Sequence, residues 1–141
     1  MSCQLNQDLF TLLPSVARAE ATYTAELPIC RGHRGVRVYI SNTAETGTST
    51  LDAKLQYKNP QSLAWTDIPG ASFVQFADGA TGERFIEMYV GATGSDADSS
   101  LALATNFKQL GLFPHRYMRL SCTVGGTTVT RTFSAGGSFL P

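Results

Sequence analysis

Apolar and polar residues alternate with a period of two along most of this chain, and that period predicts β-strands. The cleanest run is 49–58, where Leu51, Ala53, Leu55 and Tyr57 alternate with Asp52, Lys54, Gln56 and Lys58. Such a strand places one face on a core and the other in water. Over 35–42, Val36, Val38 and Ile40 alternate with Arg37, Tyr39 and Ser41. Met118, Leu120, Cys122 and Val124 share one face of a strand at 116–124. In the run that follows, Val129 and Phe133 share a face opposite Thr128, Thr130 and Thr132. Exposed strand faces suit Thr because its β-branch fits the pleat. Between the last two runs, Gly125-Gly126 predicts a two-residue hairpin turn, since glycine takes the positive φ of primed turns.

Turn signals at Asn59-Pro60-Gln61-Ser62, Pro69-Gly70 and Ala77-Asp78-Gly79 delimit short strands at 64–68 and 72–76. Residues 84–90 carry Phe85, Ile86, Met88, Tyr89 and Val90, apolar on both parities, which predicts a central strand covered on both sides. Two stretches break the period. Within 94–114, Asp96 or Asp98 would cap a helix over 99–110 that Gly111 stops, with Leu103, Phe107 and Leu110 on one face. The alternative there is a long loop crossing between sheets. Near the N-terminus, Leu9, Phe10, Leu12 and Leu13 fit one helical turn that Pro14 ends. Residues 1–20 are therefore expected to form an extended arm, lying over the domain's own core or over a neighbouring subunit. About eight short strands with turns between them point to an all-β fold, a two-sheet antiparallel sandwich over 21–141.

Composition narrows the function classes. A chain of 141 residues fits one domain. Charged residues are only 16% of it, which suits a strand-rich domain whose surface is partly covered by a partner. Eleven Lys and Arg balance eleven Asp and Glu, so no global charge attracts nucleic acid or an anionic membrane, and little keeps copies apart. The start of the chain lacks a cationic segment followed by an apolar one, and no stretch approaches the ~20 apolar residues of a membrane helix. Synthesis in a cytosol is the expectation. Three cysteines, Cys3, Cys30 and Cys122, do not make a disulfide framework, and they are read as thiols with Cys122 in the core.

Candidate chemistry is sparse. Cys30 and His33 have ligand-like spacing, but no second pair at zinc spacing follows, and a basic glycine-rich turn explains them. Asp96 and Asp98 lack the glycine and distal glutamate of a calcium loop. No nucleophile elbow and no phosphate-binding glycine loop occurs, and nothing in the sequence brings Asp67, Glu83 and Glu87 together. The expectation is a non-enzyme with no cofactor and no metal. Arg31, Arg34 and Arg37 form the one local cationic cluster, suited to an acidic partner surface or to guarding a strand edge.

The run Thr50-Leu51-Asp52-Ala53-Lys54-Leu55-Gln56-Tyr57, then Trp65-Thr66-Asp67-Ile68-Pro69-Gly70-Ala71-Ser72-Phe73, and later Phe113-Pro114-His115-Arg116-Tyr117-Met118-Arg119-Leu120, resembles the jelly-roll capsid decoration (cement) proteins of tailed bacteriophages. The likeness covers about residues 36–135 and lies in strand grammar. It implies a jelly-roll-like sandwich that binds the outer surface of the phage head and stabilises contacts between major capsid proteins. The implied partners are the major capsid protein and the chain itself as a dimer or trimer, with no nucleic acid and no membrane; the implied location is the capsid surface of the virion. Leu9, Phe10, Leu12 and Leu13 of the arm, with Arg31, Arg34 and Arg37, are the expected partner-binding residues. The alternatives are a neck, tail or fibre-associated virion protein of similar fold, and a glycan-binding sandwich using Trp65, Tyr57 or Tyr89. For Trp65, packing in the core is the simpler expectation.

Overall fold

The computed structural model describes residues 9–28, 35–89, 100–104, 107–110 and 117–140, and among them every regular element is a strand. In chain order these are β1 (Leu9–Ala19), β2 (Ala21–Glu26), β3 (Gly35–Thr46), β4 (Ser49–Lys58), β5 (Trp65–Ser72), β6 (Gly82–Tyr89), β7 (Ser100–Ala104), β8 (Phe107–Leu110), β9 (Met118–Gly126) and β10 (Thr130–Leu140). They form a six-stranded sheet in the order β1-β10-β3-β6-β8-β7 and a four-stranded sheet in the order β2-β9-β4-β5. All neighbours are antiparallel except β6 and β8, which are parallel.

Alternation fixes which side of each strand faces the other sheet. Val36, Val38 and Ile40 of β3, Ile86 and Met88 of β6, and Phe133 and Ala135 of β10 come from the larger sheet. Leu51, Ala53 and Leu55 of β4, with Leu120, Cys122 and Val124 of β9, come from the smaller one. All belong to a single core, the arrangement of a β-sandwich. Each fully buried aliphatic side chain contributes about 1.5–3 kcal/mol of transfer free energy. Cys122 is a free thiol in that core; burial pushes its pKa up to about 12, while the nearby Arg18 charge pulls the other way. β4 and the inward faces of β3 and β9 follow the sequence reading, and β6 is a central strand as expected, between β3 and β8.

Four local expectations are corrected. The apolar run at Leu9–Leu13 is a strand rather than a helical turn, so the described part of the expected arm is an edge of the sandwich, hydrogen-bonded to β10. Glycine in the partner strand makes room for it. A Cβ on Gly137 would meet the Phe10 ring at 2.9 Å, and Phe10 lies 5.2 Å from the Phe139 ring. Pro14 falls within the register shift between Leu13 and Val16, where an edge strand tolerates a residue with no N–H.

The second correction concerns 94–114. Its described part is neither helix nor loop but the strands β7 and β8 beyond β6; Asp96, Asp98, Gly111 and Pro114 lie outside the described residues. The third is Gly125-Gly126, which does not turn a hairpin. Gly125 and Gly126 end β9 opposite Thr50 and Ser49 of β4, and the chain then crosses to the other sheet. β9 already has β2 and β4 on its two sides, so no open edge is left for β10. Gly126 has φ 126° and packs against the neighbouring crossover, where a Cβ would sit 2.7 Å from the Thr48 carbonyl. Lastly, Pro69-Gly70 does not close a strand. It lies within β5, where the register with β4 jumps from Asp67 opposite Gln56 to Ser72 opposite Lys54.

The two sheets are joined at this crossover end by a charged residue. Arg131 of β10 is fully buried. Its Nε donates to Ser49 Oγ at 2.8 Å, and its Nη atoms donate to the carbonyls of Ser49, Ala77 and Ala80 at 2.7–2.8 Å. Glu45 of β3 supplies the counter-charge at 2.6 Å and accepts from Ser49 Oγ at 3.1 Å. Each guanidinium nitrogen has a fixed acceptor, so the desolvation cost is offset. Replacing Arg131 with Ala removes the counter-charge of Glu45 and one donor from each of three carbonyls, of which Ala77 keeps the Ala80 N–H and Ala80 keeps Asn42 Nδ2. The expected loss is about 3–5 kcal/mol in a urea-denaturation measurement. Arg131→Lys, which cannot present the planar fork, is expected to recover only part of it.

Candidate functional site

Two surfaces come into view once the strands are placed. The first is the outer face of the six-stranded sheet. Leu9 of β1 lies opposite Ser138 of β10, which lies opposite Arg37 of β3, which lies opposite Glu87 of β6. One row thus carries Leu9, Ser138, Arg37 and Glu87 across four strands. Arg37 donates from Nε and Nη2 to Glu87 Oε2 at 3.0 and 2.8 Å, so its charge is answered within the sheet. Leu9 is 82% exposed at the edge of the row, and Val16 further along β1 is 48% exposed.

Of the residues expected to bind a partner, the fold brings Leu9 and Arg37 onto this row. Phe10, Leu12 and Leu13 are instead partly buried against the core, where they anchor β1 to its own domain. Arg31 and Arg34 lie outside the described residues, as do Cys30, His33 and His115. Glu87 and Asp67 sit in different sheets, and Glu83 makes no pair with Asp67. Among the described residues, no group of three His, Cys, Asp or Glu side chains could hold a metal ion, and no helix is long and apolar enough to cross a membrane.

The second surface is the outer face of the four-stranded sheet. Trp65 is not packed between the sheets as expected. It is partly exposed at the start of β5, with the Arg119 guanidinium 4.6 Å from its ring. Arg119 Nε donates to Gln56 Oε1 at 2.7 Å, Gln56 Nε2 donates to Asp67 Oδ1 at 2.8 Å, and Lys54 Nζ donates to Asp67 Oδ2 at 2.9 Å. This chain crosses β9, β4 and β5 and explains why Gln56, on a polar parity, is nonetheless buried. Tyr57 packs toward the core and is not available to a ligand on this face. Beyond Lys54 the jump in β5 register opens a cleft of about 280 Å³, lined by Asp52, Ala53, Lys54, Ser72, Phe73, Ser121 and Thr123.

Arginines that the sequence reading passed over brace the strands of the six-stranded sheet. Arg18 turns back on β1 and donates to the carbonyls of Pro14, Val16 and Phe133, with its guanidinium 4.6 Å from the Phe133 ring. The bulges around Pro14 take those β1 carbonyls out of regular pairing, and Arg18 answers them. Arg84 of β6 stacks 4.2 Å from the Phe76 ring, and its Nε is without a partner. A signal for two of them was present. Arg131 falls between Val129 and Phe133, and Arg84 stands two before Ile86, each on the apolar parity of its strand.

These features define an all-β sandwich with, among the described residues, open strand edges and a polar outer face. No protein-family model matches the chain, and no curated protein matches it.

Asp67 supplies a test of the outer-face network. Hydrogen bonds from Gln56, then from Lys54, hold its carboxyl below the ordinary value of 3.8. A depressed carboxylate stabilises the fold above its unfolded pKa, and that contribution fades as pH falls below about 4. The Lys54–Asp67 pair is solvent-exposed, so Asp67→Asn is expected to cost no more than about 1 kcal/mol at pH 7. Denaturation curves of both proteins between pH 7 and pH 2.5 should converge at the acid end.

Proposed function

We propose that this chain is a virion structural protein of a tailed bacteriophage, a decoration subunit that associates with itself and binds the outer surface of the head by contacting major capsid proteins. On this reading the sandwich is a jelly roll of eight strands, with β7 and β8 added beyond β6; the order β1-β10-β3-β6 facing β2-β9-β4-β5 supports that assignment. Jelly rolls recur in viral capsid domains and in lectins, so the order favours the class without naming the role. The phage resemblance of the 50–73 and 113–120 motifs favours the role.

The observation that carries the proposal is the row Leu9–Ser138–Arg37–Glu87, which ends on an apolar side chain 82% exposed at an open strand edge. Leu9 contributes little to the core at that exposure, and an uncharged edge suits burial against a neighbour. The one charge on β1, Arg18, is turned inward. A rigid subunit that holds several shell sites through one oligomer gains avidity without any catalytic group.

Purified protein is expected to sediment as an oligomer and to co-sediment with phage heads that lack it. Leu9→Asp should weaken head association at least tenfold, about 1.4 kcal/mol, while leaving the melting temperature unchanged. A strictly monomeric protein that stays in the supernatant when heads are pelleted would sink the proposal. Electron microscopy that places the protein at the neck or tail would replace it with the neighbouring virion role.

A further inference from the structure

We propose that the cleft on the outer face of the four-stranded sheet binds a neutral saccharide. Asp52 and Lys54 are two residues apart on β4, so their stems are about 7 Å apart on the same face. Both are held from outside the cleft. Gln75 Nε2 donates to the two Asp52 carboxylate oxygens at 2.8 and 3.0 Å, and Asp67 fixes Lys54 at 2.9 Å. Between them the lining carries the hydroxyls of Ser72, Ser121 and Thr123, with the buried Ala53 and Phe73 completing it.

Charge selects the ligand class. An anion that gains Lys54 meets Asp52, and a cation that gains Asp52 meets Lys54. A neutral polyol uses both, donating hydroxyl protons to the carboxylate and accepting from the ammonium. The cleft volume of about 280 Å³ is just under the usual range of about 300–1,000 Å³ for small-molecule sites, which fits a ligand the size of one sugar ring. Because Asp52 and Lys54 are already oriented, little side-chain entropy is lost on binding. The lining argues against a protein partner, since interface cores are depleted in Lys, Asp and Ser. From Asp52 the strip continues along β4 past Gln56 to Lys58, about 20 Å at strand spacing, and Lys58 pairs with Trp65. A linear oligosaccharide seated in the cleft would extend toward that partly exposed indole.

The site does not depend on the capsid reading, and the two are measured separately. The probe is an array of linear and branched oligosaccharides, neutral and acidic, followed by calorimetric titration of the best binder and amide chemical-shift mapping on the intact chain. A neutral glycan is expected to bind with Kd on the order of 1 mM or tighter, and to shift the amides of Lys54, Ser121 and Thr123. Thr123→Phe, which fills the cleft from an exposed strand position, and Asp52→Asn, which keeps the shape and removes the charge, should each weaken binding at least tenfold. Thr43→Phe, on the outer face of the other sheet, should leave it unchanged. If Thr123→Phe does not fold, Asp52→Asn decides. The proposal is overturned if no glycan binds, if only acidic glycans bind, if the shifts map elsewhere, or if the folded cleft variants keep wild-type affinity. Loss of head association in Thr123→Phe, without sugar binding by the parent protein, would make the cleft a protein interface and also overturn it.

Discussion

A guanidinium buried between two sheets sets the geometry of one end of this molecule. Arg131 reaches from β10 in the larger sheet to Ser49 at the start of β4 in the smaller one, and to the carbonyls of Ala77 and Ala80 in the turn before β6. Apolar contacts alone would tolerate sliding of one sheet over the other, because they are non-directional. Five directed interactions to one planar group do not. They also accept a cost: a charge out of water is retained only while all of its partners stay in place. Glu45 and Ser49, which share the node, flank the β3–β4 crossover at Gly47, and Val129 of the β9–β10 crossover packs on that glycine, where a Cβ would lie 2.8 Å from Val129 Cγ1. The two crossovers and the arginine are therefore one packed unit, and the register of both sheets follows from it.

That constraint has a consequence for the surfaces. Strands whose ends are pinned can leave their edges open without fraying, and β1 is such an edge. Its hold on β10 does not rest on ladder bonds alone, because bulges around Pro14 interrupt them. Phe10 packed over Gly137 and Arg18 donating across to the Phe133 carbonyl of β10 supply the rest. The outward side of β1 is left free to present Leu9. On the opposite layer, the polar chain Arg119–Gln56–Asp67–Lys54 does for the outer face what Arg131 does for the interior, fixing side chains that water would otherwise let wander.

How much of this was legible in the sequence follows from what alternation encodes. Period two tells which residues share a face, and for β4 it named the strand, its ends and its buried apolar residues, though not the buried Gln56. It says nothing about which strand lies alongside, and so Gly125-Gly126, a valid turn signal locally, was read as a hairpin when both sides of β9 were already taken. Pro14 was read as ending a helical turn and Pro69-Gly70 as a turn that closes a strand. Both sit on edge strands at register jumps, where a missing donor costs nothing. Trp65 was assigned to the core on size, but its place at the start of β5 puts it under Arg119 instead. The contact residues were half legible for the same reason. Leu9 and Arg37 face outward by parity, whereas Phe10 and Leu13 turn in because Gly137 and Ala135 of β10 leave space that only the pairing reveals.

An arginine on the apolar parity of a strand is the piece of evidence with the widest reach. Taken singly, Arg131 in Thr130-Arg131-Thr132 looks like a solvated charge on a Thr-rich strand. Taken with Val129 and Phe133 it must point inward, and a charge that points inward needs acceptors converging on it from elsewhere in the chain. Such a residue therefore predicts a contact between distant segments, which alternation of apolar residues never does. Arg84 carries the same parity before Ile86 and Met88 and is likewise buried, stacked on the Phe76 ring of the turn just before its own strand. In a sandwich whose strands otherwise resemble one another, these charged exceptions distinguish one register and one sheet order from the alternatives. That specificity justifies a desolvation cost that a purely apolar core would avoid.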